Sequence, residues 1–155
     1  MKINGWIING VNLNLLGHRE REWYGSKTLE DIEQNCLHQA KKMGIALQCV
    51  QSNHEGQIVE WIHQAFFEAD FVIINPGAYS HTSIAIYDAL SIITVPVIEV
   101  HLTNIYKREP FRHHSYVSPK AYGIICGFGP MSYTMALEAA YHLCCKEESP
   151  CEEAI

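Results

Sequence analysis

Short, strongly apolar runs alternate along this chain with longer stretches whose apolar positions recur every three or four residues. INGWIIN at residues 3–9, IALQCVQ at 45–51, FVIIN at 71–75, VPVIEV at 95–100 and YGIICG at 122–127 are brief and rich in β-branched residues, which predicts five strands. Helical patterns lie between them. Thr28 and Asp31 make a capping-box pair, Leu29, Ile32, Cys36, Ala40 and Met43 form one stripe, and Gly44 closes the element. Ser52 and Glu55 offer a second capping box ahead of Ile58, Trp61, Ile62, Ala65 and Phe66. A shorter helix is predicted over 82–92, and Gly129-Pro130 starts a last one through Met131, Met135, Ala139 and Leu143.

Strands alternating with helices imply a parallel sheet covered on both faces, and near-continuously apolar strands fit that burial. The expected architecture is α/β, a flavodoxin-like three-layer sandwich with a five-stranded parallel sheet. At 155 residues the chain suits one domain, expected over 1–143. The acidic remainder, 144–155, is expected to be a disordered tail.

Hydrophobic residues make up 48% and charged residues 18%, and no apolar run approaches a membrane span, so a soluble globular protein with no membrane partner is expected. The opening residues lack signal-peptide anatomy, which points to the cytoplasm. A formal charge of −6 argues against a nucleic-acid partner. Six cysteines contain no CxxC pair, so buried reduced thiols are favoured over zinc ligands.

In an open parallel sheet the ligand sits outside the carboxyl ends of the strands, where strand order reverses, so the segments after each strand hold the candidate chemistry. They are NGVNLNLLGHREREWYG, NPGAYSHTS, HLTNIYKREPFRHHS and GFGP. All four arginines fall here: Arg19, Arg21, Arg108 and Arg112. Gathered guanidinium groups suit a fork-like grip on a carboxylate or phosphate, with salt bridges to Glu20, Glu22 and Glu109 as the alternative. Tyr24, on a charged loop, is either a core anchor or a base. A phenol brought from about 10 to near 7 needs ~4 kcal/mol of anion stabilisation, within reach of one or two arginines in a water-poor site. Glu99 and His101 are two apart on a strand end, so they share a face, and the carboxylate can orient the imidazole as a proton donor; a surface ion pair is the competing reading. Asn12, Asn14 and Asn75 either bind an oxyanion or cap turns. The Leu102 and Thr103 amides, with the Thr103 hydroxyl, can clamp a carboxylate. GFG lacks the spacing of a dinucleotide fingerprint, and His38, His63 and His142 are expected on the surface.

In order, NGVNLNLLG, REREWYGS, QSNHEG, NPGAYSHTSIAI, VIEVHLTNI, REPFRHHS and GFGP resemble the type II 3-dehydroquinate dehydratases across residues 3–143. The resemblance implies anti elimination of water from 3-dehydroquinate through an enolate, with no cofactor and no metal. By position it implies Tyr24 as the base with Arg19 and Arg108 assisting, Asn12 holding a water at the enolate oxygen, and His101, oriented by Glu99, as the acid. Asn75, Leu102 and Thr103 would hold the substrate carboxylate, and His81, Arg112 and Asp88 its ring hydroxyls. It further implies a homododecamer, a tetramer of trimers in which Asp88 reaches a neighbour's site, and a mobile lid over about 16–24. Val11, Arg21, Thr103 and Tyr87 depart from the family pattern; Thr103 keeps a hydroxyl, and Tyr87 bears on the subunit contact more than on the chemistry.

Two rivals make distinct predictions. A flavodoxin-like anion-binding module without catalysis would be indifferent to Tyr24→Phe, and a histidine-rich metallohydrolase would lose activity on chelation.

Overall fold

A computed structural model describes residues 2–146. Its five strands are β1 (Ile3–Asn9), β2 (Ile45–Gln51), β3 (Phe71–Asn75), β4 (Val97–His101) and β5 (Gly123–Cys126), all parallel and ordered β2-β1-β3-β4-β5. This is the flavodoxin-like order, and all five predicted strands are present. β4 begins two residues later than the apolar run suggested and ends on His101.

Among the described residues, five α-helices accompany the sheet: α1 (Arg21–Tyr24), α2 (Leu29–Lys42), α3 (Glu55–Glu68), α4 (Ile84–Leu90) and α5 (Met131–Lys146). Side chains alternate across each strand, so the two faces collect different cores. Ile7, Phe71, Ile73, Ile98 and Val100 pack with Ile32, Cys36 and Ala40 of α2 and Tyr133, Ala136, Leu137 and Ala140 of α5. Trp6, Ile8, Val72, Ile74 and Val97 pack on the other side with Ile58, Ile62 and Ala65 of α3 and Ile86, Ala89 and Leu90 of α4. Three layers result. Burying a side chain such as Ile7 or Ile74 contributes about 1.5–3 kcal/mol.

The capping box of α2 is formed: the Asp31 amide donates to Thr28 Oγ1, and the Thr28 amide to the Asp31 carboxylate. The second predicted box is not. The Ser52 amide continues the sheet by donating to the Asn9 carbonyl, its hydroxyl accepts from the His54 amide, and α3 starts only at Glu55. Phe66, placed on the buried stripe of α3, is exposed. The stripe of α5 is also rephased. Met131 and Met135 face outward, whereas Tyr133, Ala136, Leu137 and Ala140 meet the sheet. α5 runs through Lys146, so residues 144–146 of the expected tail are helical; the rest of that tail lies outside the described residues.

Chain order moves from β1 outward to β2 and then back across β1 to β3. The crevice therefore opens where the ends of β1 and β3 part. Their close approach there depends on Gly10, where a Cβ would sit 2.2 Å from the Pro76 carbonyl oxygen.

Candidate active site

A cleft of about 570 Å³ lies at this point. Val11, Asn12 and Leu13 line it from the end of β1, Asn75, Gly77, Ala78 and His81 from the end of β3, and His101 to Thr103, Ile105, Arg108 and Arg112 from the end of β4. Arg19 and Tyr24 close it from the loop after β1. Eleven of the twelve candidate residues thus converge: ten line the cleft, and Glu99 stands directly behind His101. Asp88 does not; it is exposed on α4. Asn14 is likewise exposed and off the cleft.

The Glu99 and His101 pair is not a surface ion pair. Glu99 is fully buried and His101 nearly so, with His101 Nε2 2.9 Å from Glu99 Oε1. A carboxylate only accepts, so Nε2 carries the hydrogen and Nδ1 is the remaining ring nitrogen. Burial pushes the Glu99 carboxyl up, but the hydrogen bond and charge of His101, joined by the Ser115 and Ser118 hydroxyls, outweigh it and hold the group below its ordinary value.

His81 lies parallel to His101, with ring centroids 6.4 Å apart. Its Nδ1 is 2.8 Å from the His114 carbonyl oxygen, so that nitrogen is the donor and Nε2 is left as an acceptor. Burial lowers its pKa, with the His114 contact opposing and the charges of His101 and Arg112 adding to the fall, which keeps the ring neutral near pH 7.

Another part of the lining is cationic. Arg108 Nη1 donates to the Tyr24 hydroxyl at 2.5 Å, and the guanidinium stacks between Trp23 and Tyr24 at 4.9 and 5.3 Å from their ring centroids. Arg19 lies 5.0 Å from the Tyr24 ring and bonds Glu20 at 2.9 Å. The Nε atoms of Arg19 and Arg108 are buried without a hydrogen-bond partner, an arrangement that an anion in the cleft would relieve. Arg21 does not join them. Its Nε donates to the Gly17 carbonyl and ties the base of the loop.

Asn12 has a left-handed backbone, φ 67°, and its amide donates to Asn53 Oδ1 at 2.9 Å. Asn75 Nδ2 donates to the Tyr133 hydroxyl at 2.8 Å, and that hydroxyl donates to Asn9 Oδ1 at 2.6 Å. Sequence reasoning missed Asn53, Ser115, Ser118 and Tyr133. The first two of these stand inside the QSNHEG and REPFRHHS motifs, which was the available signal; Ser118 and Tyr133 had none. Among the described residues, no group of three or more His, Cys, Asp or Glu could hold a metal ion. No described helix is long and apolar enough to cross a membrane.

A phenol bonded to a guanidinium and a buried carboxylate-imidazole pair thus share one arginine-lined cleft, and known proteins carry the same sequence and fold. The family model "Dehydroquinase class II" matches residues 1–141. The chain is 57% identical over 133 residues to 3-dehydroquinate dehydratase 1 of Agrobacterium fabrum, covering 86% of this chain and 92% of that one. It is 56% identical over 134 residues to the 3-dehydroquinate dehydratase of Vibrio cholerae, covering 86% and 89%. The crystal structure of the type II dehydroquinase from Butyrivibrio crossotus superposes with a TM-score of 0.88 at 42% identity, over 90% of this chain and 97% of that one. Fold and sequence agree, and the chain belongs to the class II dehydroquinases.

Proposed function

We propose that this chain is a hydro-lyase that removes water from 3-dehydroquinate to give 3-dehydroshikimate, a step of the shikimate pathway, by anti elimination through an enolate. The observation that carries the reading is the hydrogen bond from Arg108 to the Tyr24 hydroxyl in the same cleft as the buried Glu99 and His101 pair. It supplies a base and an acid on two walls of one cleft, which an elimination across a carbon-carbon bond needs.

Tyr24, as phenolate favoured by Arg108 and Arg19, takes the proton beside the ketone. The resulting enolate oxygen is met by a water held by Asn12. Glu99 stabilises His101 as imidazolium, and its Nδ1 gives a proton to the departing hydroxyl, which leaves as water. Asn75, Leu102 and Thr103 hold the substrate carboxylate. His81, through its acceptor Nε2, and Arg112 take ring hydroxyls. The loop carrying Arg19 and Tyr24 acts as a lid that excludes water while these charges develop. The assembly that fits this reading is a homododecamer in the cytoplasm. The exposed position of Asp88, off its own cleft, suits a role at a neighbour's site.

The test is an assay of the purified protein with 3-dehydroquinate, following the ultraviolet absorbance of the conjugated enone. Turnover that survives chelation and disappears in a folded Tyr24→Phe variant supports the reading. Undiminished turnover in Tyr24→Phe overturns the assignment of the base. Binding without turnover in the native protein favours an anion-binding module.

A further inference from the structure

The segment after Arg112 carries no group assigned to the chemistry, yet it contacts His81 directly and the Glu99 partner of His101. The His114 carbonyl takes the Nδ1 hydrogen of His81. One residue on, Ser115 Oγ donates to Glu99 Oε1 at 2.5 Å, and Ser118 Oγ donates to Glu99 Oε2. With His101 also on Oε1, the buried carboxylate has donors on both oxygens.

The segment is itself held in place. Ser115 Oγ accepts from the amides of Val117 and Ser118 at 3.1 and 3.2 Å, which closes a tight turn around the hydroxyl. The Tyr116 amide donates to the Ser80 carbonyl at 2.8 Å, and Val117 is fully buried against the α3 and α4 core. A loop anchored this way presents its hydroxyls at fixed positions.

We infer that residues 114–118 form a positioning strap, in which Ser115 and Ser118 act through Glu99 to keep the His101 imidazole in one tautomer and charged when its proton is needed, while the His114 carbonyl fixes His81 as an acceptor. The reason is electrostatic. A carboxylate removed from water survives as an anion only when donors replace its hydration, and a neutral Glu99 would neither orient His101 nor support its positive charge. The other titratable groups that interact with the pair are His81 from the turn after β3, beside which Arg112 of the loop after β4 lies, and Cys126 at the end of β5. None donates a hydrogen bond to Glu99, so Ser118 is the sole donor to Oε2 among the described residues. The inference rests on the dehydratase reading, and its test separates the two.

The experiment compares native protein, Ser118→Ala, Ser118→Thr and Ser118→Cys with 3-dehydroquinate across pH, and records the imidazole nitrogen resonances of His101 by NMR without substrate. In Ser118→Ala, kcat is expected to fall about ten-fold, the worth of one hydrogen bond to a charged group, with KM within about two-fold. The acid limb of kcat moves to higher pH, because Glu99 then takes up its proton more readily, and the His101 Nε2 signal loses its carboxylate-bonded position at that same pH. Ser118→Thr restores both. Ser118→Cys, which keeps the size and weakens the donor, shifts the limb in the same direction if the alanine variant fails to fold. A folded Ser118→Ala or Ser118→Cys with native pH limbs and native His101 signals overturns the inference. No turnover by native protein would instead sink the dehydratase reading, and the NMR arm would still decide the strap.

Discussion

The two walls of the cleft are built differently. His101 is the last residue of a central strand, and its partner Glu99 is wholly buried with both oxygens engaged. Tyr24 ends a single helical turn, Arg21–Tyr24, on a loop whose left-handed Gly17 and Glu20 set its path and whose other residues are mostly exposed. The proposed proton donor is therefore built into the core, whereas the proposed base is held only where the loop meets Arg108. On the buried side, fixed imidazole and hydroxyl donors replace the water that an ionised carboxylate would otherwise need. On the proposed reading, the exposed loop on the other side admits substrate and closes the phenol against a guanidinium. The price of the first is stability that depends on polar pairing; the second leaves stability nearly untouched.

The largest contrast is expected from Tyr24→Phe. Loss of the base should lower kcat roughly 10²–10⁴-fold while the melting temperature stays within experimental error, because Tyr24 is only half-buried. Stability falling together with activity would erase the distinction between the walls. Glu99→Ala should do both kinds of damage. It leaves His101 and two hydroxyls without their acceptor, at a cost of about 3–5 kcal/mol in urea denaturation.

The same wall sets the acid response. A folded-state pKa below the ordinary 4.5 means that the unfolded chain binds the proton first. Glu99 therefore contributes stability in full above that value and loses it as pH falls through its lower folded value. His81, lowered from 6.5, acts in the same direction over a higher window. Stability measured from pH 7 downward should decline first through the His81 window and then through that of Glu99. Replacement of His81 by Asn should remove the first decline alone.

Tyr133→Phe probes the floor between the walls. Asn75 and Asn9 each lose a buried partner, so stability should drop by about 1–3 kcal/mol, and KM should rise more than kcat falls. The smallest effect belongs to Arg21→Ala, which unties the loop from the Gly17 carbonyl. Thermal stability should be unchanged and KM should shift by a small factor, reporting on closure alone.

Much of this was legible in the residues because the relevant forces are local. Thr28 and Asp31 cap α2 through contacts three residues apart, and Glu99 and His101 share a face because strand side chains alternate. Where two local solutions compete, the pattern is silent. Ser52 and Glu55 have the spacing of a capping box, but the Ser52 amide was taken by β1. α5 is apolar on more than one face, so Met131 and Met135 looked as suitable for the core as Tyr133 and Leu137. Docking on the sheet chose the latter pair.

The order of strands and helices, the switch point and the set of groups gathered there were determined by the sequence, since periodicity and turn chemistry act over a few residues. Only the tertiary structure decided that Arg108 rather than Arg21 reaches Tyr24, that Glu99 is buried, and that Ser115, Ser118 and Tyr133 hold the site's polar groups. Those choices join residues 16 to 124 positions apart, where desolvation and packing set the energy and no local pattern records it.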